Sequence, residues 1–371
     1  MRGKVNYNNT LQKILYIDFP LYFLMLAVSS IGFALMYSAA QGSVFPWMFK
    51  QILHFASGTV VMLVIAVTSM RFWYNMSYKF YALSIILLIV TEFAGHTAMG
   101  ATRWLNLGII KLQPSDLVKT TVIMALARYF HNLPFNNIRK IRYVIPPILM
   151  VLVPVALVLK QPDLGTASII LGIGGMMFLI AGIALWKFGF VILAAVISAP
   201  IAWNFLHDYQ KKRIMVFLDP GSDRLATGYN IIQSKISIGS GGIFGKGLLK
   251  GTQTQLSFLP EHQTDFIFAM LSEELGLMGG LTILVIYGLM LYRSYKVALN
   301  CKNHFGAMMA MGVACMFFIH LFINMAMVME LVPVVGVPLP FLSYGGTIMM
   351  SMMVGFGFVM CASVHNRDLD R

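Results

Sequence analysis

Apolar runs long enough to cross ~30 Å of hydrocarbon recur along the whole chain. They predict membrane-spanning helices near 19–40, 48–69, 77–95, 115–132, 142–160, 165–184, 187–206, 266–292, 306–329 and 342–363. The expected fold is all-α: one polytopic domain over 1–371, with about ten transmembrane helices. The polar stretches between the runs are short, with one exception, a loop of about 207–265 between spans seven and eight. The first segment, MRGKVNYNNTLQKILYIDFPLYF, lacks a small-residue cleavage site, so its apolar run reads as a retained span.

Composition agrees with this pattern. Of the 371 residues 58% are hydrophobic and 11% charged, against about 25% charged in a soluble domain. Water cannot solvate a surface so poor in charge, which leaves lipid as the solvent. The net charge of +13 would point to nucleic acid in a soluble protein. Here the cations sit in loops, where they orient the chain and touch anionic headgroups, and no basic domain exists to bind nucleic acid. With the N-terminus inside, the inner segments hold fifteen lysines and arginines and the short outer loops only Lys50, Arg103, Lys111 and Lys160. Both termini are therefore expected in the cytoplasm and the long loop outside. Cys301, Cys315 and Cys361 are odd in number and match no metal spacing.

The long loop opens with HDYQKKRIMVFLDP, a basic amphipathic stretch able to lie in the headgroup plane. It continues as GYNIIQSKISIGSGG, a polar–apolar alternation that fails at the glycines of 239–242. A loop this long is functional or disordered, and its glycines and aliphatic content favour ordered structure. No convincing internal repeat supports an inverted-repeat transporter.

Ionisable groups in or beside a span are costly, so each of the fourteen acids is worth placing. Asp116 and Lys119, after Gln113-Pro114-Ser115, share one helical face at i, i+3 spacing. A structural ion pair and the charged wall of a cavity are both consistent with them, and Arg103 in GATRWLNLG fits either, or an interfacial anchor beside Trp104. Asp163 in KQPDLGT reads first as part of a tight connection, and Glu92 as an acid near an outer end or paired. Asp265 ends LPEHQTD, immediately before the apolar helix FIFAMLSEELGLMGG, with Glu261 and His262 close by. Helix capping would explain it. So would a partly buried base, since burial raises a carboxylate's pKa while nearby cations lower it. Glu273 and Glu274 follow about 12–13 Å deeper, at 1.5 Å per residue, and should pair or hydrogen-bond inside the bundle. The last outer connection, ELVPVVGVPLPFLSYGGT, reads as a rigid loop dipping toward the bundle, a wall of the same outer cavity.

Together these strings resemble the SEDS family (shape, elongation, division and sporulation), and within it the elongation branch. They are GATRWLNLG with QPSD, KQPDLGT, HDYQKKRIMVFLDP, the run from GYNIIQSKISIGSGG through PEHQTDF to LSEELG, and PVVGVPLPFLSYGGT. The likeness covers essentially the whole chain. It implies a peptidoglycan glycosyltransferase of the cytoplasmic (inner) membrane, polymerising lipid II on the outer face. It also implies a class B penicillin-binding protein as partner, penicillin-binding protein 2 in that branch, with MreC and MreD. The family's proposed catalytic aspartate falls on Asp265. A positioned carboxylate can take the acceptor hydroxyl's proton as the bond forms. Cations near the leaving pyrophosphate would stabilise its charge, with Arg103, Lys119, Lys211, Lys212, Arg213 and Lys246 as candidates. Asp116 and Ser343 complete the expected substrate-binding set.

Three positions depart from the family pattern. Asp116 replaces the usual glutamate, Gln263 stands where the histidine two residues before the aspartate is usual, and Glu330 replaces a common glycine. No metal-ligand cluster stands out, and a divalent cation at the pyrophosphate would have to share acids with catalysis. A lipid II flippase and a non-catalytic scaffold are the competing readings. The first should carry polar residues through the midplane, and the second leaves Asp265 unexplained beyond capping.

Overall fold

The computed structural model describes residues 13, 16–94, 96–98, 101–106, 111–134, 137–138, 140–205, 208–219, 227–256, 258 and 260–366. In lipid a backbone must satisfy its own hydrogen bonds, which apolar segments do by closing into helices. Ten helices follow the ten apolar runs: α1 (Phe19–Ala39), α2 (Trp47–Val67), α3 (Met70–Ala94), α4 (Pro114–Asn132), α5 (Ile145–Lys160), α6 (Leu164–Ile180), α7 (Leu185–Phe205), then α11 (Ile267–Asn300), α12 (His304–Val328) and α13 (Gly346–Val364). Between α7 and α11 lie α8 (Asp208–Leu218), α9 (Thr227–Ser240) and the single turn α10 (Thr252–Gln255). Six helices, α1, α2, α3, α11, α12 and α13, are long and apolar enough to cross a membrane; α5, α6 and the first part of α7 are shorter apolar helices.

The all-α expectation needs one addition. The connection between α3 and α4 forms a small antiparallel sheet, β1 (His96–Ala98), β2 (Ala101–Asn106) and β3 (Lys111–Leu112), in that order. Residues 228–242, whose polar–apolar alternation fails at the glycines, are ordered. They fold mainly as α9, with Ile231, Ser234 and Ser237 buried at the three-residue spacing of a helix. The inward face is lined by serines, which hides its period from hydropathy. Ser234 Oγ donates to Val328 O (3.1 Å) and Ser237 Oγ to Ala269 O (3.2 Å), docking α9 on α12 and α11.

α12 is the hub, packing against α4, α6, α11 and α13, while α2 packs on α13 and α3 on α4. α4 is the most polar of the ten long helices and falls short of the apolarity of a span, yet most of its residues are buried inside the bundle. It is screened from lipid by its neighbours. α7 is the opposite case, with Leu185, Trp186, Phe190, Val191, Val196 and Ile197 all exposed.

The glycine run of the long loop has a structural cause. α11 is broken at Gly276, where φ is 66° and ψ −164°, a region open in practice to glycine alone. A break frees carbonyls and amides that must find new partners. The loop supplies them: Lys246 N donates to Glu273 O (3.0 Å) and Gly247 N to Glu274 O (2.9 Å). In return Gly242 O accepts from Leu277 N (3.0 Å) and Ile243 O from Met278 N (3.1 Å). A Cβ on Gly245 would lie 2.2 Å from Glu274 O, and one on Gly276 2.3 Å from Gly245 N. Only two glycines facing each other allow this approach.

Candidate active site

Asp265 lies in the short segment that enters α11. Thr264 N donates to Glu261 O (3.1 Å) and Thr264 Oγ1 to the Glu261 carboxylate (2.9 Å), curling the chain tightly. The helix begins at Ile267 with Phe266 as its cap and no capping side chain, so the capping explanation of Asp265 does not hold. The last connection is stitched to this segment. Ser343 Oγ donates to Thr264 O (2.6 Å), and Tyr344 N to Gln263 O (2.9 Å). The connection is pinned from below as well: Tyr287 OH donates to Pro340 O (2.6 Å), and Gln51 bridges Ser343 O and Gly345 N. This irregular backbone is therefore hydrogen-bonded and buried in protein, as its position requires.

The Asp265 carboxylate faces Gly336 of that connection. A Cβ at Gly336, whose φ is +72°, would stand 3.1 Å from Asp265 Oδ2. On the far side, a Cβ at Gly165 of the KQPDLGT motif would lie 2.8 Å from Val335 O. Three motifs that are distant in sequence thus close on one place. Burial, and then the Glu261 carboxylate, push the pKa of Asp265 up to about 6 against the pull of the Arg213 guanidinium on α8. A carboxyl group poised there is available as a base near neutrality.

α12 carries two polar side chains one turn apart beneath Asp265. Asn324 Nδ2 donates to Asp265 O (2.9 Å) and to Val337 O (2.6 Å). His320 Nε2 lies 3.2 Å from Lys119 Nζ and its Nδ1 2.8 Å from Met316 O. An ammonium only donates, so Nε2 accepts and the ring proton sits on Nδ1. Lys119 pairs with Asp116 at 2.6 Å, both buried, and Ser351 Oγ donates to Asp116 O (3.0 Å). The expected i, i+3 pair exists, sealed one helical turn from the Asp265 anchor.

The other sequence-derived candidates divide. Arg213 acts on Asp265 electrostatically, and Lys211 and Lys212 share its helix, Lys212 exposed. Lys246 is committed elsewhere, 2.7 Å from Glu273 and 2.9 Å from Thr252 Oγ1. Ser343 is buried, its hydroxyl accepting from Leu339 N (2.8 Å) while donating to Thr264 O. Arg103 lies on β2, and its side chain falls outside the described residues. Asp163 caps α6, accepting from Thr166 N (3.1 Å) and Thr166 Oγ1 (2.9 Å). Glu92 pairs with Lys160 at 3.8 Å near the surface. Glu273 and Glu274 are bonded inside the bundle as expected, to Lys246 and to Ser38 respectively. Glu330 pairs with Lys235 of α9 at a φ of 60°. That backbone favours glycine, which accounts for the glycine common at this position. Among the described residues no three His, Cys, Asp or Glu side chains converge to hold a metal ion.

Asn324, His320 and Gln51 carry no formal charge and do not stand out among the ionisable residues. Their signal was nevertheless present: in CMFFIHLFINMAMV the only strongly polar residues are His320 and Asn324, at i, i+4 on one face.

Comparison with known proteins places the chain in a family. The FtsW/RodA/SpoVE cell cycle protein family matches residues 12–368. The peptidoglycan glycosyltransferase MrdB of Escherichia coli K12 is 41% identical over 95% of both chains. Among solved structures, a chain from a peptidoglycan synthase complex that coordinates polymerization and crosslinking superposes with a TM-score of 0.82 at 28% identity, covering 95% of this chain and 98% of that one. The rod shape determining protein RodA of Thermus thermophilus gives 0.71 at 27% identity, with 96% and 98% covered. The chain belongs to the FtsW/RodA/SpoVE family of cell cycle proteins, the SEDS family its motifs resemble.

Proposed function

We propose that this protein is a peptidoglycan glycosyltransferase that polymerises lipid II, with Asp265 as general base. The observation that carries the base assignment is the half-sealed Asp265 carboxylate, pushed up to about 6 and facing the backbone of the last connection. The acceptor hydroxyl gives its proton to Asp265 as its oxygen bonds to the anomeric carbon of the donor. The bond from that carbon to the lipid pyrophosphate breaks, and the electron pair leaves with the pyrophosphate. Pyrophosphate departs without strong protonation, so one carboxylate suffices where a hydrolase uses two. Arg213, which acts on Asp265 electrostatically, with Lys211 and Lys212 beside it on α8, is the cationic group placed to receive the pyrophosphate.

In this reading all ten long helices span the cytoplasmic membrane, α4 screened by its neighbours. Both termini are cytoplasmic and the α7–α11 segment is outside, as the basic residues of the short loops favour. A class B penicillin-binding protein crosslinks the product, with MreC and MreD as further partners. The Asp116–Lys119–His320 cluster supports the floor of the site by tying α4 to α12.

The test is polymerisation of labelled lipid II in detergent by the protein purified with its penicillin-binding partner. Wild type should yield glycan polymer; Asp265→Ala and Asp265→Asn should yield none while folding and binding the partner normally. Undiminished polymer from Asp265→Ala would sink the assignment, and lipid movement in vesicles without polymer would favour a flippase.

A further inference from the structure

Asn324 is fully buried on α12, and both hydrogens of its amide are used on backbone carbonyls. Those carbonyls belong to the two segments that form the cleft. One is Asp265's own; the other is Val337's, adjacent to Gly336. The remaining amide atom, Oδ1, is buried and has no hydrogen-bond partner among the described residues. What the side chain achieves is a fixed separation: it ties the α11 entrance to the last connection just where Asp265 Oδ2 faces Gly336 across a gap with no room to spare for a methyl group.

We infer that Asn324 is the positioning residue for Asp265, holding the carboxylate against the Gly336 backbone at the distance the reaction needs. The inference rests on the reading of Asp265 as the base. Asn324 touches no reacting atom and acts through the two carbonyls. Misplacement of a reacting group by about 1 Å can lower a rate by about 10²-fold, and loss of both donors frees the carbonyls of Asp265 and Val337 themselves, while Ser343–Thr264 and Tyr344–Gln263 still join the two segments. The variant leaves the charges around Asp265 in place: Glu261 on its own segment, Arg213 on α8, and the His320–Lys119–Asp116 cluster between α12 and α4. Any change in how Asp265 titrates would then report water reaching the loosened gap.

The experiment compares wild type, Asn324→Leu and Asp265→Asn in the partner-bound complex, measuring lipid II polymerisation per folded complex across pH. Asn324→Leu keeps the number and branching of the side-chain heavy atoms and removes the donors. It should lower kcat about 10- to 100-fold, leave KM for lipid II within about two-fold, and move the acid limb of the pH profile downward as Asp265 gains water. Wild-type kcat in Asn324→Leu, with Asp265→Asn inactive, overturns the positioning role and leaves the base standing. A rate loss with an unmoved acid limb and a lowered Tm also overturns it, as a purely structural effect. Activity in Asp265→Asn overturns both assignments. Should Asn324→Leu fail to fold, Asn324→Ala, whose vacated space admits water, is read by the same criteria.

Discussion

Two places along α11 bring acids against a loop, and they are finished differently. At the glycine junction Glu273 is fully buried and accepts from Lys246, Thr252 Oγ1 (3.1 Å), Gln253 N (3.1 Å) and Ser237 Oγ (3.3 Å). At the entrance to α11, Asp265 keeps its carboxylate toward a glycine backbone, and the hydrogen bonds around it go to its main chain. Surrounding donors tie an acid into the frame; an acid desolvated without them is left able to exchange a proton near neutrality. One acid within the helix is therefore built into the frame, and one at its entrance is left for chemistry.

The contrast can be broken by removing partners from the sealed sites. Lys119→Ala strands Asp116 in the bundle interior, and breaking such a pair costs about 3–5 kcal/mol; thermal unfolding of the detergent-solubilised protein should show a large loss. Glu273→Ala should cost about 3 kcal/mol, the lower end of that range, because Lys246 is partly exposed and can reach water. Folded Glu273→Ala protein should keep most of its polymerase activity. If instead Glu273→Ala folds normally and loses polymerisation, the two acids have been assigned the wrong way round.

Asp265 gives a smaller effect of predictable sign. Its folded pKa, about 6, is above the ordinary value of 3.8. The protonated form is thus favoured by folding, and the contribution present in acid is lost as pH rises through about 6. Asp265→Asn should therefore raise Tm relative to wild type above about pH 7, and the gain should shrink toward about pH 4. The smallest effect is expected of Glu330→Gly. It relieves a φ of 60° but breaks the Lys235 ion pair. The first is worth about 1 kcal/mol and the second about 0–1, so Tm should move little in either direction.

Much of this was legible in the sequence, for physical reasons. The ten runs mark ten helices because hydropathy and helix length obey the same constraint in lipid. Asp116 with Lys119, and Asp265 beside the last connection, stand out because charge is rare in such a chain. α9 was hidden by its serine face, and the start of α3 by the polar positions Arg71 and Asn75, which a hydropathy window excludes but a helix accepts. At the site, Gly336 against the Asp265 carboxylate and Gly165 against Val335 O are approaches that a Cβ would crowd. Only the folded chain reveals which glycines meet.

Asp265 is the group whose protonation should control polymerisation. The most direct test is the pH dependence of kcat for the partner-bound enzyme on saturating lipid II. Activity should fall tenfold for each unit below about pH 6, as the base becomes protonated. Asp265→Asn should be inactive throughout. A rate unchanged between about pH 5 and 8, or an acid limb that persists in residual activity of Asp265→Asn, would contradict it.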